Sequence, residues 1–160
     1  MRPRGRPFKK KHPLERQKEL KKRTSAVSMM YSAVEKATAV GGNAGGGPIY
    51  GESTKGSFQG IVDVLEKKCH LSKKDTVIDV GSGRGKPNLH FSPIVKTSIG
   101  IECEELRTNL GCVSLKRAME LDTNISNCIL QDGNISSAYS LDPCTVVYQF
   151  DVGVSFMVKC

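Results

Sequence analysis

The sequence predicts an α/β fold, a parallel doubly wound sheet carried behind a disordered basic N-terminal tail. Three observations lead there. The short β-branched run Thr76–Val80 enters a glycine turn, Gly81-x-Gly83-x-Gly85, that opens onto a helix with Pro87 near its start. Further short strands alternate with helix-forming stretches down to Phe150, the arrangement of repeated strand–helix–strand units. The positive charge is concentrated at one end: residues 1–23 hold eleven Lys/Arg against Glu15 and Glu19, a net of +9, whereas the whole chain carries +8. The pI near 9.3 therefore describes the tail, and the folded part is close to neutral. Such a cationic arm points to a polyanionic partner, nucleic acid ahead of an acidic membrane.

A chain of 160 residues suits one modest domain plus a tail. Its six cysteines (Cys69, Cys103, Cys112, Cys128, Cys144, Cys160) stand nine or more residues apart, and it has three histidines. Zinc wants clustered ligands at short spacing, so no metal site is expected. We read the thiols as reduced, in a cytosolic or nuclear protein. The basic N-terminus lacks the apolar stretch of a signal peptide, and no run approaches the roughly eighteen apolar residues of a membrane span.

Residues 1–25 form the expected tail. It opens Arg2-Pro3-Arg4-Gly5-Arg6-Pro7, and this core resembles the AT-hook, a short minor-groove DNA-binding motif. Gly5 lets the backbone lie deep in a narrow groove, Pro7 holds the chain extended, and Arg2, Arg4 and Arg6 follow the groove floor, where negative potential is concentrated. Lys9, Lys10, Lys11, Lys18, Lys21, Lys22 and Arg23 are then available for phosphates. A solvated basic arm or a nuclear import signal reads the same residues without groove preference.

Residues 26–48 are expected to be helix and linker. Helix-forming composition covers 14–40 with a weak apolar stripe suited to packing. Gly41–Pro48 is glycine-rich and flexible in composition, so the domain boundary is placed there. The third segment, 49–160, opens with Ile49-Tyr50-Gly51-Glu52-Ser53-Thr54. An amphipathic helix follows from Ser57 to His70, with Phe58, Ile61, Val62 and Leu65 on one face.

Strand, glycine loop and helix N-terminus together form a nucleotide cradle. The spacing departs from the dinucleotide G-x-G-x-x-G at Lys86, and no G-K-[ST] follows for a phosphate-binding loop. Asp79 lies in the strand end, two residues before the first glycine; its carboxylate repels a pyrophosphate and attracts a ligand with a cationic amino group. S-adenosylmethionine (SAM) has such a group. A second strand, Thr97–Glu102, ends in an acid seventeen residues after Gly85, placed to accept both ribose hydroxyls. A helix over Glu104–Leu121 carries Leu106, Leu110, Val113, Ala118 and Leu121 at helical spacing. Ser126–Leu130 reads as the third strand, leading to Asp132, which can accept from an adenine amino group. Thr145–Phe150 reads as the fourth, ending at Asp151.

In this order, Asp79-x-Gly81-Ser82-Gly83-x-Gly85, Glu102, Asp132 and the turn after the fourth strand resemble motifs I to IV of class I SAM-dependent methyltransferases, over roughly residues 49–155. The resemblance implies a Rossmann-like core with SAM as cofactor. Ile49–Ser53, "IDVGSGRGKPNLH", "IGIE" and "VVYQFD" are further similar to the disruptor-of-telomeric-silencing family of histone-lysine methyltransferases. That likeness implies that Tyr50 and Glu52 fold over the cofactor and that Tyr50 and Asp151 line a lysine channel. It also implies methyl transfer to a histone lysine on nucleosomes in the nucleus, with the tail on DNA. Lys86-Pro87-Asn88, Pro93 and Asp151 depart from that family's pattern. Two alternatives stay open: an enzyme acting on RNA or another protein, and an inactive chromatin- or DNA-binding protein. Class I cores have seven strands ordered 3-2-1-4-5-7-6, and the core here is expected to be truncated after the fourth, as a fragment or a chain needing a partner. Oligomeric state is left open.

Overall fold

The computed structural model describes residues 13–37, 53–121 and 125–150. Helices α1 (Pro13–Ala37) and α2 (Lys55–Lys68) come first, then β1 (Thr76–Val80), α3 (Lys86–Phe91), β2 (Thr97–Glu102), α4 (Glu105–Leu121), β3 (Cys128–Asp132), a 3-10 turn at Ile135–Ser137 and β4 (Val146–Gln149). The four strands form one parallel sheet in the order β3-β2-β1-β4, as the sequence led us to expect. The AT-hook-like residues 2–7, the glycine-rich segment 41–48, Tyr50, Glu52 and Asp151 lie outside the described residues.

The parallel register puts Val77, Asp79, Ser98, Gly100, Glu102, Cys128, Leu130, Val146 and Tyr148 on one face of the sheet. Both apolar clusters of the core form there. Phe58 and Val62 of α2 meet Val77, Phe91, Ile94 and Val95, with Val146 and Tyr148 beside them. Phe58 is the hub of this cluster, its ring about 5 Å from those of His90, Phe91 and Tyr148. The second cluster joins Met30 of α1 to Leu89, Ala118 and Ile125. On the opposite face, the edge-strand residues Ile129 and Val147 are 49% and 53% exposed.

Several expectations are corrected in detail. Helix α2 starts at Lys55, ahead of Ser57, because Thr54 caps it, its hydroxyl accepting from Ser57 N at 3.2 Å. Strand β3 begins two residues later than expected. The residue before it, Asn127, already accepts from Ser98 N at 2.8 Å through its carbonyl, and its side-chain amide donates to the carbonyls of Ser92, Val95 and Lys96 at 2.8–3.2 Å, which ties the start of β3 to the segment after α3. The apolar face assigned to α4 holds at Ala118, which is buried, and in part at Leu110, and fails at its other members. Leu106, Val113 and Leu121 are exposed, and Thr108, Gly111, Ser114 and Ala118 are buried. This helix lies too close to its neighbours for large side chains.

Helix α1 belongs to the folded body. The division drawn at residue 25 falls inside it, so residues 13–25, grouped above with the disordered tail, are helical. Val27, Met30 and Tyr31 are buried. Arg23 is committed as well, its guanidinium forming a two-pronged ion pair with Glu66 of α2 at 2.8 and 2.9 Å, which removes it from the residues expected to meet phosphates. Deleting residues 1–23 therefore removes the first turns of α1 and its ion pair with Glu66, and a deletion that tests the tail ends before Pro13.

His90 ties three helices together. Its ring nitrogens lie 3.3 Å from the Tyr31 hydroxyl and 2.8 Å from Gln59 Oε1. The Gln59 oxygen can only accept, so a neutral ring protonated at Nε2 satisfies both contacts. Burial, helped by the positive charges of Arg23 and Lys55, lowers its pKa to about 4. The unfolded chain therefore takes up this proton first. Stability should fall as pH drops below 6.5 and the loss should be complete near pH 4, for a span of about 3 kcal/mol. Denaturant unfolding between pH 7 and 5 checks this, and His90→Gln should flatten the profile; an unchanged slope in that variant would remove His90 as its cause.

Candidate functional site

The carboxyl ends of β1, β2 and β3 carry the expected acids, and the glycine turn joins them. Gly81, Gly83 and Gly85 adopt φ of +76°, +55° and +75°, a region open to glycine and costly for other residues. The turn is stitched to β2: Gly81 N and Ser82 N both donate to the Ile101 carbonyl, at 2.8 and 3.1 Å. Gly85 N donates back to Ser82 O at 2.9 Å and closes the turn into α3. A side chain built on Gly81 would meet nothing within 4 Å, so that side of the turn is open to a ligand's approach. Ser82 is buried, with its Cβ turned toward Gly100.

Glu102 is held by the backbone. Its Oε2 accepts from Gly83 N at 2.8 Å and its Oε1 from Glu104 N at 3.0 Å. A carboxylate has about four lone-pair sites, so both oxygens keep capacity for further donors. Asp132 stands opposite Glu102 in the β2–β3 register and is exposed at the strand tip, where Gly133 N donates to Glu102 O at 2.9 Å.

Asp79 is the group without a solution of its own. It is 1% exposed, and its Oδ2 has no hydrogen-bond partner. Burial, reinforced by the neighbouring Glu102 charge, pushes its pKa up to about 8. Among the described residues the buried Asn88 amide oxygen also lacks a partner, and the Tyr148 hydroxyl has only Ser53 beside it. Tyr148 and Gly100 flank Asp79 on either side in register, and the Asn88 oxygen stands over Gly100, 2.7 Å from where a Cβ would be. Ionised Asp79 therefore calls for a cation at the mouth of the turn.

Sequence reasoning missed the packing that sets the depth of this cradle. Leu130 of β3 plugs the space under the turn. Its side chain would lie 2.7 Å from a Cβ on Gly85, 2.7 Å from one on Gly100 and 3.1 Å from one on Gly111. Two signals were legible: a glycine inside strand β2 and another inside helix α4 both mark close approach. Among the described residues no group of His, Cys, Asp and Glu could hold a metal ion, and no helix is long and apolar enough to cross a membrane.

No protein-family model matches the chain, nor does any curated protein sequence. Solved structures do. An RNA methyltransferase from Salinibacter ruber in complex with S-adenosyl-L-homocysteine aligns at 18% identity and TM-score 0.50, covering 64% of this chain and 61% of that one. A SAM-dependent methyltransferase from Thiobacillus denitrificans, also in complex with S-adenosyl-L-homocysteine, aligns at 17% identity and TM-score 0.50, covering 77% and 43%. A protein-L-isoaspartate O-methyltransferase aligns at 15% identity and TM-score 0.50, covering 79% and 47%. The fold is thus Rossmann-like, of the class I methyltransferase kind. The chain spans about half the length of these structures.

Two predictions follow from the geometry. Gly81→Ala should cost about 1 kcal/mol, the strain of its backbone alone. Gly100→Ala should cost about 2 kcal/mol or more, because Asn88, Leu130 and Ser82 must move. Urea unfolding measures both, and equal costs would contradict the plug. The raised pKa of Asp79 means that the unliganded protein gains a proton on folding between pH 4 and 8, so this group's favourable contribution is lost as pH rises toward 8. Asp79→Asn should remove that loss and raise the Tm at pH 8 by roughly 5 °C; a lower Tm at pH 8 would show that ionised Asp79 is already compensated.

Proposed function

We propose that this chain holds S-adenosylmethionine over the glycine turn as part of a methyltransferase that modifies a histone lysine on nucleosomes. One observation carries the cofactor assignment: a buried carboxylate with a partnerless oxygen, Asp79 Oδ2, beside a second, backbone-fixed carboxylate at the mouth of an open glycine turn. The residues present fit the ligand. Asp79 meets the methionine ammonium, Glu102 offers its remaining lone pairs to the ribose hydroxyls, and Asp132 reaches the adenine amino group. Bound there, SAM supplies a methyl group activated by its sulfonium. The solved structures that hold S-adenosyl-L-homocysteine on this fold support the reading.

The protein's own contribution is placement and exclusion of water. Asp79 and Glu102 fix the two ends of the cofactor, and Leu130 sets how deeply it sits. For the substrate step we assign Tyr50, Glu52 and Asp151 from the family resemblance, with Tyr50 and Asp151 lining the lysine channel. A lysine amine must lose its proton before it attacks, and a dry channel lowers its pKa. Nucleosome attachment in the nucleus is assigned to the AT-hook-like Arg2, Arg4, Gly5, Arg6 and Pro7.

Calorimetry with SAM tests the cofactor assignment. Asp79 must give up its proton to grip an ammonium, so affinity should strengthen as pH rises from 6 to 7.5, by up to about tenfold per unit. Asp79→Asn should weaken it roughly a hundredfold. No heat with the wild-type chain would end the reading. Labelled SAM then tests the substrate on nucleosomes, free histones and RNA; label on RNA alone would replace the histone assignment, and label on none would reduce the chain to a SAM-binding module. Deleting residues 1–12 should weaken nucleosome binding and leave SAM binding intact.

A further inference from the structure

Helix α4 turns its largest apolar residues away from the core. At about 100° per residue, Leu106, Leu110, Val113, Arg117 and Leu121 fall along one flank of the helix. Leu106, Val113 and Leu121 are 65%, 50% and 44% exposed, and Leu110 is half-buried. The one charge among them is met within the helix, Arg117 donating to Glu120 at 2.8 Å. Leu115, on the opposite flank, packs against the cluster of Met30 and Leu89. The stripe therefore looks away from α1 and α3, out over the edge of the sheet formed by β3. Leu106, Leu110 and Val113 have the i, i+4, i+7 spacing of a seam that receives a second helix.

Beneath the stripe, β3 is an open edge. Asn127 O accepts from Ser98 N at 2.8 Å and Gly133 N donates to Glu102 O at 2.9 Å. Residues 127, 129, 131 and 133 thus turn their backbone groups to β2. Those of Cys128, Leu130 and Asp132 point outward, and among the described residues no strand lies beyond them. No proline, lysine or bulge guards this edge. The middle of the strand and the middle of the stripe lie at one level. Gly111, between Leu110 and Val113, sits so close over Leu130 that a Cβ on it would be 3.1 Å from the Leu130 side chain.

We infer that this flank is an interface between two copies of the chain, with β3 pairing antiparallel to β3 and α4 packing on α4 about a two-fold axis at Leu130. The spacing closes. Paired strands stand about 4.8 Å apart, so the axis lies about 2.4 Å outside β3. Helix α4 packs on both β2 and β3, and a helix centred over that pair is about 4.8 Å from the axis. The two helices then stand about 10 Å apart, at the upper end of helix-packing distances. Leu130 faces its own counterpart as a hydrogen-bonded pair, and Cys128 faces Asp132 of the second copy, so no like charges meet. A lone strand from another chain leaves the stripe bare, and a lone helix leaves the edge unpaired. A second copy brings both at the matching level. The glycine turns open at opposite ends of the joined sheet, so the interface does not depend on the cofactor assignment.

Sedimentation equilibrium on the full chain under reducing conditions should show monomer giving way to dimer between roughly 1 µM and 1 mM, the range of a small interface. Leu110→Glu/Val113→Glu and Leu110→Lys/Val113→Lys should each weaken association at least about tenfold. Mixing the two should restore it, which separates like-charge repulsion from misfolding. Leu106→Gln, at a site 65% exposed, should weaken association with an unchanged Tm. Hydrogen exchange locates the contact. The amides of Cys128, Leu130 and Asp132 should gain protection as concentration rises, well beyond any gain at Ile129 and Gln131, which β2 already holds. A wild-type chain still monomeric at roughly 1 mM would overturn the interface. So would a dimer in which those three amides exchange at the monomer's rate, which would move the contact elsewhere. Full protection of the three in the dilute monomer would also overturn it and give the edge to another part of the same chain.

Discussion

The structure turns on one unfavourable placement, a carboxylate at Asp79 sealed into the end of the central strand beside a second carboxylate. Burying a charge without a partner is costly, and the group answers by holding its proton up to about pH 8. Glu102 cannot relieve it, because it is a second carboxylate whose charge opposes ionisation of Asp79. The surroundings are built to sustain this placement. The edge-on ring contacts of Phe58 with Phe91, His90 and Tyr148 sit beneath it, and the Asn127 amide ties the start of β3 to the segment after α3. Binding energy is thus stored as an unmet interaction, and a cationic ligand that meets it gains affinity and stabilises the fold together.

The central part of this arrangement was legible in the sequence for a physical reason. A buried parallel strand must be continuously apolar and β-branched, and a turn with positive φ must be glycine, so Thr76–Val80 and Gly81–Gly85 left little freedom of interpretation. The order of the other strands came from the resemblance to class I methyltransferases, and the sheet has it over its four strands. Helix α4 resisted the same treatment. Its large apolar residues recur at helical spacing, yet the buried face is the one bearing Thr108, Gly111, Ser114 and Ala118. Close packing selected small side chains over apolar ones, and periodicity alone does not register size. The plug at Leu130 escaped for a related reason: three glycines distant in sequence become partners only after the strands are in register. Arg23 was grouped with its cationic neighbours, although its partner Glu66 stands 43 residues away.

Helix α1 changes the division of labour between the basic segment and the core. One flank of the helix enters the apolar cluster through Met30 and reaches His90 through Tyr31, and another presents Lys18, Lys21 and Lys22 to solvent. Charge that the sequence alone assigned to a free arm is therefore carried on a rigid element. A rigid row of cations holds its spacing and its angle to the glycine turn, and a free arm holds neither.

The same helix has a consequence for how the molecule is made. Tyr31 and His90 stand 59 residues apart, Leu89 is beside His90, and Ala118 and Ile125, which join the same cluster, are later still in the chain. During synthesis the segment carrying Met30 and Tyr31 leaves the ribosome long before anything exists for it to pack on. Closing such distant contacts comes late and slowly. Until α4 has been translated, that apolar flank is exposed to chaperones, and the flank bearing the lysines faces the ribosome's own RNA.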